Sequence, residues 1–170
     1  MEHFYFSIQG WFLQENLFSQ MIMSCNNEDE YNFVEIGSWK GRSSSYMAVE
    51  IINSRKKIKL NCVDTWLGSE EHRDINNGSY EPLCFIENGL YDEFIKNIQS
   101  VKSVINPIRM ESVEASKLFE DNSLDFVFID GAHDYYSVKE DIEHWYPKVK
   151  SGGYIAGDDY VWPPIKKSSN

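Results

Sequence analysis

The stretch Phe33–Ser44, which reads FVEIGSWKGRSS, decides the fold of this chain. It begins as an apolar strand, passes two glycines four residues apart, and ends in serines that can start a helix. A glycine turn at the carboxyl end of a parallel strand lets a ligand approach the backbone, and the helix that follows presents unpaired N–H groups. The stretch therefore predicts a strand–turn–helix unit with a ligand site at its turn.

Glu35 indicates which ligand suits this turn. It stands where a dinucleotide-binding turn has its first glycine. A carboxylate beside a pyrophosphate would repel it, whereas it suits a cationic or hydroxyl-bearing ligand. The turn therefore predicts a nucleoside without phosphates, with S-adenosylmethionine as the leading candidate, and disfavours an NAD-dependent enzyme.

Composition narrows the class of protein. The 170 residues are 42% apolar, which predicts one globular domain. Within it the apolar periodicity and the motifs described below predict an amino-terminal helical segment (1–30) and a core that binds the cofactor (31–160). A net charge of −11 argues against nucleic acid and anionic membrane surfaces as partners. The three cysteines, Cys25, Cys62 and Cys84, are widely spaced, which predicts reduced thiols and a cytoplasmic protein.

Strand and helix signals alternate along the chain, which predicts an α/β fold with a Rossmann-like, doubly wound parallel sheet. Pro107 lies inside the third strand and confines it to a sheet edge. That placement fits the strand order 3-2-1-4-5, with the ligand between strands one and four. The predicted strands are 33–36, 59–64, 104–109, 125–130 and 154–157, and the predicted helices between them are 44–53, 87–99 and 137–149.

Three further segments carry expectations of their own. Apolar residues from Leu13 to Ile22 recur at helical spacing and predict a helix that either packs on the sheet or lines a substrate entrance. The acidic stretch Leu67–Ile86 is either a lid over the site or a disordered loop. Gly152-Gly153 is expected to end the last predicted helix.

An acidic residue also ends the second strand, in the sequence Asn61–Trp66. Asp64 can accept hydrogen bonds from both ribose hydroxyls of an adenosyl group, and Trp66 can cover the nucleoside. The alternative is a turn aspartate followed by a packing tryptophan. The upstream glycine turn favours the nucleoside interpretation.

Three more carboxylates follow strands four and five. Asp130, Asp158 and Asp159 fall at neighbouring strand ends, where carboxylates without a cation would repel one another. A magnesium ion removes that cost and keeps positions for substrate oxygens. We therefore predict a magnesium site there, which Asp134 and Asp141 do not join. His133 is either the base that takes a proton from a substrate hydroxyl or a helix-capping residue.

These segments together resemble a known family. The first, 35–41 (EIGSWKG), looks like the first motif of class I S-adenosylmethionine-dependent methyltransferases. With 63–69 (VDTWLGS), 128–135 (FIDGAHDY) and 157–160 (GDDY), it resembles the O-methyltransferases typified by macrocin O-methyltransferase and the cephalosporin-biosynthesis methyltransferases. The likeness spans about Phe33 to Tyr160.

The resemblance implies a Mg-dependent O-methyltransferase acting on a small hydroxylated molecule such as a sugar, phenol or natural product. It implies a residue near the adenine after strand three, here Glu111 or Ser112, and it matches His133 to the base of some relatives. Asp130 is a candidate both for the metal and for catalysis. The candidate cofactor-binding residues are Glu35, Gly37, Ser38, Gly41, Asp64, Thr65, Trp66, Glu111, Ser112 and Asp130.

One departure from the family bears on assembly and activity. The family fold continues beyond strand five with a helix and an antiparallel strand pair, which the ten residues after Tyr160 are too few to form. The flank of strand five is then expected to be covered by a partner subunit or by the amino-terminal helix, so a homo-oligomer is expected. The alternative function is a non-catalytic nucleoside-binding module. Nucleic-acid N-methylation is disfavoured because Asp130–His133 replaces its Asn/Asp-Pro-Pro-Tyr signature.

Overall fold

The computed structural model describes residues 1–158. Five parallel strands form one sheet in the order β3-β2-β1-β4-β5, as the sequence predicts. The strands are β1 (Glu30–Ile36), β2 (Lys57–Asp64), β3 (Ile105–Arg109), β4 (Leu124–Ile129) and β5 (Val149–Gly157). The helices are α1 (Glu15–Ser24), α2 (Arg42–Ser54), α3 (Glu70–Arg73), α4 (Gly89–Asn97), α5 (Ser112–Ser116) and α6 (Tyr135–Trp145), with short 3-10 turns at Tyr5–Ser7, Pro82–Phe85 and Tyr146–Lys148.

The two faces of the sheet bury different sets of side chains because successive strand residues point to opposite sides. On one face the phenylalanines of β1 and β4 pack against α1, α2 and α4, with Phe18, Met47 and Phe94 fully buried. On the other face the valines and isoleucines of the same strands pack against α5 and α6, where Trp145 is fully buried. No helix within residues 1–158 has the length and apolar character needed to cross a membrane.

Three expectations about elements are corrected. The last long helix ends at Trp145 rather than at Val149, because Pro147 in the following turn has no N–H to continue the helical ladder. Gly152-Gly153 therefore ends no helix and lies inside β5, at a shift in its pairing with β4. Leu13 lies before α1 and is 87% exposed, so it is not part of that helix's buried stripe.

Pro107 sits in β3 at the sheet edge, as predicted. The strand pairs with β2 on one side only. A residue without an N–H is tolerated there because the outer side of an edge strand needs no ladder bond.

Gly37 fixes how closely the turns after β1 and β4 approach each other. A Cβ built on Gly37 would lie 2.0 Å from the Asp130 carbonyl oxygen and 2.8 Å from the Gly131 Cα. The Gly37 N–H donates to the Val63 carbonyl at 2.9 Å, and the Asp130 N–H donates to the Ile36 carbonyl at 2.8 Å. Gly37 is therefore required by backbone packing between strand ends, in addition to any contact with a ligand.

This packing predicts a large cost for Gly37→Ala. Gly152 supplies the matched control, because it has nearly the same positive φ (85° against 86°) but no atom within 4 Å of an added Cβ. We expect Gly152→Ala to lower the free energy of unfolding by about 1–2 kcal/mol, the cost of the left-handed conformation alone. We expect Gly37→Ala to lower it by roughly 3 kcal/mol or more, because the strand ends must separate. Equal losses in urea titrations of the two variants would contradict this account.

Candidate active site

Glu35 lies completely buried beneath the turn between β1 and α2. Burial raises the pKa of its carboxyl group, and hydrogen bonds from Ser43 and Ser44 oppose that shift. Within residues 1–158 its Oε1 atom has no hydrogen-bond partner, while the Ser44 hydroxyl donates to Oε2. The hydroxyl of Ser38, a predicted cofactor contact, is also buried and is close enough to Glu35 to lower the pKa of its carboxyl group. Buried polar atoms of this kind fit a bound ligand that supplies the missing hydrogen bonds.

Asp64 joins the turn after β1 to the turn after β2. Its Oδ2 accepts the Trp39 N–H at 2.8 Å, and its Oδ1 accepts the Trp66 N–H at 2.7 Å. Burial raises the pKa of this carboxyl group, although hydrogen bonds from the backbone N–H groups of Trp66, Trp39, Ser38 and Thr65 lower it. These backbone donors fix the orientation of the Asp64 carboxylate, the candidate acceptor for the hydroxyls of a ribose.

Trp66 packs against α4, which is the alternative that the sequence analysis gave to a nucleoside cover. Its side chain is 3% exposed, and its ring contacts Tyr91 and Phe94 with centroid separations of 5.0 and 4.7 Å. The Trp66 Nε1–H donates to the Trp39 carbonyl at 2.7 Å. The ring therefore holds α4 under the turn and has almost no surface left for a ligand.

Gly41 and Thr65 complete the predicted cofactor turns. A Cβ on Gly41 would lie 3.0 Å from the Phe94 ring and 3.1 Å from Ile98, so this glycine lets α4 pack against the start of α2. The Thr65 hydroxyl accepts the Leu67 N–H at 3.2 Å and shapes the following turn. Gly41 and Thr65 therefore shape these turns through contacts within the protein.

The loop after β3 adjoins Asp64. Arg109 pairs with Asp64 in the sheet, and the Met110 N–H donates to the Asp64 carbonyl at 3.0 Å. Of the two predicted adenine contacts that follow, Glu111 is exposed and Ser112 is half-buried. A nucleoside whose ribose binds Asp64 therefore has its base within reach of this loop.

The Ser112 hydroxyl forms hydrogen bonds with two residues of α6 that the sequence analysis did not select as site residues. Its hydroxyl donates to Asp141 Oδ1 and accepts the Trp145 Nε1–H, the latter at 2.8 Å. Asp141 is 5% exposed, and burial raises the pKa of its carboxyl group. The sequence contained a signal for this burial, since Asp141 lies at helical spacing from two apolar residues, Val138 and Trp145.

The structure brings Asp130, His133 and Asp158 together around one cavity of about 200 Å³, beside the carboxyl ends of β4 and β5. The third predicted metal ligand, Asp159, lies outside the described residues. Within residues 1–158, no group of three histidine, cysteine or acidic side chains is arranged to hold a metal ion. Asp134 instead caps α6, accepting the N–H groups of Tyr136 and Ser137 at 3.0 and 3.1 Å.

The amino-terminal segment reaches this cavity, which the helical spacing alone did not predict. Gln14 precedes α1, and its Nε2–H donates to Asp158 Oδ1 at 2.7 Å. Phe18 and Ile22 of the same helix are buried in the core. The helix therefore packs on the sheet while the residue before it contacts the candidate site, so elements of both original interpretations are present.

The 67–86 stretch is folded against the glycine turn. Lys40 forms an ion pair with Glu81, and their side chains are only 10% and 13% exposed. The His72 ring stacks on Trp39 with a centroid separation of 4.1 Å, and burial lowers the pKa of His72. His133 Nε2 lies 4.0 Å from Glu71 Oε1. The 67–86 stretch therefore contacts the glycine turn and approaches His133, as a lid over the site would.

Comparison with known proteins identifies the family. A family model described as "Methyltransferase domain" matches residues 34–160. Uncharacterized protein R132 of Acanthamoeba polyphaga mimivirus is 30% identical over 149 residues, which is 81% of this chain and 56% of that protein. The chain thus spans about half the length of this relative.

Solved structures show the same fold. The O-methyltransferase NovP superposes with a TM-score of 0.66 at 20% identity, over 89% of this chain and 67% of NovP. An S-adenosylmethionine-dependent O-methyltransferase from Thermotoga maritima superposes with a TM-score of 0.56 at 12% identity, over 88% of this chain and 45% of that one. At these identities the likeness establishes the fold.

The buried Glu35 carboxyl predicts an unusual pH dependence of stability. Its pKa is raised in the folded chain, so the folded state holds the proton more tightly than the unfolded state does. The contribution to the free energy of unfolding is therefore present at low pH and declines as pH rises above about 4, the unfolded pKa of glutamate. Glu35→Gln should make this decline shallower in urea titrations across pH 4–7, with the remainder due to Asp64 and Asp141, whereas Glu120→Gln, an exposed control, should leave it unchanged. A decline that persists unchanged in Glu35→Gln would contradict the assignment.

Proposed function

The chain belongs to the methyltransferase-domain family, and on that premise we propose that it transfers a methyl group from S-adenosylmethionine to an oxygen of a small hydroxylated molecule. One observation carries the proposal. The candidate cofactor residues Glu35 and Asp64 and the candidate acceptor residues Asp130, His133 and Asp158 all lie at the carboxyl ends of parallel strands, the edge where α/β sheets bind ligands.

The cofactor half of the site is built from acceptors. Asp64 would accept the ribose hydroxyls, and Glu111 would accept the amino group of the adenine. Glu35 and the backbone of the turn at Gly37 would lie toward the methionine end, where the ammonium and sulfonium charges favour a nearby carboxylate. Bound S-adenosylmethionine would supply a methyl group that is electrophilic because it is attached to a positively charged sulfur.

The acceptor half combines oxygen ligands with a base. Asp130, Asp158 and Asp159 offer carboxylate oxygens, the ligands that Mg²⁺ prefers, and such an ion would lower the pKa of an acceptor hydroxyl. His133 would take the hydroxyl proton, since an imidazole nitrogen can accept a proton near neutral pH. Gln14 would hold Asp158 in one orientation through the hydrogen bond from its amide. The stacked rings of His72 and Trp39 would lie beside the glycine turn, where they could contact the bound molecules.

Asp64 provides the test of cofactor binding. We expect Asp64→Asn to weaken S-adenosylmethionine binding by about 1–3 kcal/mol in titration calorimetry, because it removes a charged acceptor of hydroxyl hydrogen bonds. Asp92→Asn, at an exposed position on α4, is the control and should bind like the parent chain. Equal affinity of the Asp64 variant, or tighter binding of NAD than of S-adenosylmethionine by the parent chain, would rule out this cofactor site.

The metal and the base can be tested by turnover. A panel of sugar, phenol and hydroxy-acid acceptors should yield S-adenosylhomocysteine, and chelation by EDTA should abolish its release until Mg²⁺ is restored. Asp130→Asn should slow release at least roughly tenfold, as loss of a metal contact does. Asp134→Asn, which keeps the helix cap, should not. Turnover that survives EDTA would leave His133 to carry the proton transfer, and binding without turnover on any acceptor would favour the non-catalytic alternative.

A further inference from the structure

Trp39 holds a backbone conformation that is unfavourable for a residue with a large side chain. Its φ is +48°, in the left-handed region, although it lies between Gly37 and Gly41, which adopt positive φ without a Cβ to hinder them. A strained residue of this kind persists only where the surrounding structure holds it in place. The contacts of Trp39 therefore indicate what the strained turn does.

The backbone of Trp39 contacts the candidate cofactor site. Its N–H donates to Asp64 Oδ2 at 2.8 Å, and its carbonyl accepts the Trp66 Nε1–H at 2.7 Å. Asp64 is the candidate acceptor for the ribose hydroxyls. The orientation of the carboxylate that would meet the ribose thus depends on the backbone of Trp39.

The side chain of Trp39 contacts two other segments. Its ring stacks on the His72 ring of the 67–86 stretch, with centroids 4.1 Å apart and an angle of 29° between the planes. Its Nε1–H donates to Gln9 Oε1 at 3.1 Å in the amino-terminal segment. Burial lowers the pKa of His72, so its ring is uncharged and suited to stacking at neutral pH. One residue therefore joins the candidate cofactor site to the 67–86 stretch.

The 67–86 stretch has little buried surface of its own. None of its residues is buried, and its one α-helix, α3, has four residues. Its contacts with the glycine turn include the His72–Trp39 stack and the Lys40–Glu81 ion pair. A segment that buries so little surface opens locally at a low free energy. Loss of one of these contacts is therefore enough to change how often the stretch packs against the turn.

We propose that Trp39 is a positioning residue that couples cofactor binding at Asp64 to the packing of the 67–86 stretch against the glycine turn. A ligand that fixes the Asp64 carboxylate fixes the Trp39 backbone through its N–H, and the Trp39 ring then holds His72 in place. In the packed arrangement Glu71 Oε1 lies 4.0 Å from His133 Nε2, beside the acceptor cavity. This inference rests on the proposed function, because it takes the ligand at Asp64 to be S-adenosylmethionine or its product, S-adenosylhomocysteine.

Limited digestion of the whole chain by trypsin reports the packing of this stretch. Arg73 is the only lysine or arginine between Lys59 and Lys96, and it is exposed. Cleavage after Arg73 requires the stretch to open into an extended segment, so the cleavage rate follows the open population. Saturating S-adenosylhomocysteine should slow this cleavage about fivefold or more, the usual size of coupling between two sites. Cleavage after Lys102, in the exposed turn before β3, should keep its rate.

Variants of the two stacked rings test the route. Trp39→Leu and His72→Leu should each reduce the protection of Arg73 to less than about twofold, because the ring contact is lost. Trp39→Phe has the same strained backbone to adopt but keeps a ring that can stack, so it should retain the protection. His144→Leu, on α6, is the matched control for His72 and should also retain it. Titration calorimetry sets a saturating ligand concentration for each variant, so that weaker affinity does not imitate lost coupling.

The outcomes distinguish this inference from the function on which it rests. Folded Trp39→Leu and His72→Leu variants that keep the parent's protection would overturn the proposal, and so would loss of protection in Trp39→Phe or His144→Leu. Equal protection at Arg73 and Lys102 would show a general gain in stability and overturn it as well.

Binding of S-adenosylhomocysteine without protection of Arg73 would overturn the coupling while leaving the cofactor site intact. Failure of the parent chain to bind this compound would overturn the proposed function together with it. If Trp39→Leu does not fold, the comparison of His72→Leu with His144→Leu decides the question.

Discussion

The close backbone contact between Gly37 and the Asp130 carbonyl is the constraint on which the site depends. Because Gly37 has no side chain, the backbones at the ends of β1 and β4 come into contact. The Asp130 N–H donates to the Ile36 carbonyl of β1 at 2.8 Å, and the Gly37 N–H donates to the Val63 carbonyl of β2 at 2.9 Å. The candidate cofactor turn and the candidate acceptor turn are thus parts of one edge of the sheet. A ligand at this edge is met by groups whose spacing is set by the sheet, which is the condition for orienting two reactants.

Buried acidity is the second organising feature of this edge. Glu35, Asp64 and Asp141 are all desolvated, and each is held by hydroxyl or amide donors. The nearby cation, Lys40, is paired with Glu81 in the 67–86 stretch. Neutral donors orient these carboxyl groups without pairing them with a cation. The arrangement suits a ligand that brings hydroxyl, amino and sulfonium groups and no phosphate.

The sequence predicted those features that depend on local pattern. The periodicity of apolar residues predicts the alternation of strands and helices. The missing N–H of Pro107 predicts that its strand lies at the sheet edge, and together the two features predict the sheet order. The reason for Gly37 was only partly predictable, because its neighbour, Asp130, is 93 residues away in the chain. The sequence left two roles open for Trp66 for the same reason: its burial depends on α4, which the sequence could place only approximately.

The residues that sequence analysis missed share one property, which is that they act through another side chain. Gln14 contacts Asp158, Asp141 contacts Ser112, and Glu81 contacts Lys40. A sequence motif reveals residues whose type is required by a ligand or by a backbone conformation. The type of these other residues depends instead on a side chain that is distant in sequence, so no local motif reveals them. The three missed residues come from separate parts of the chain, and each contacts a residue that follows a strand of the candidate site. The site is therefore specified twice, once by local motifs that supply the groups and once by distant residues that orient them.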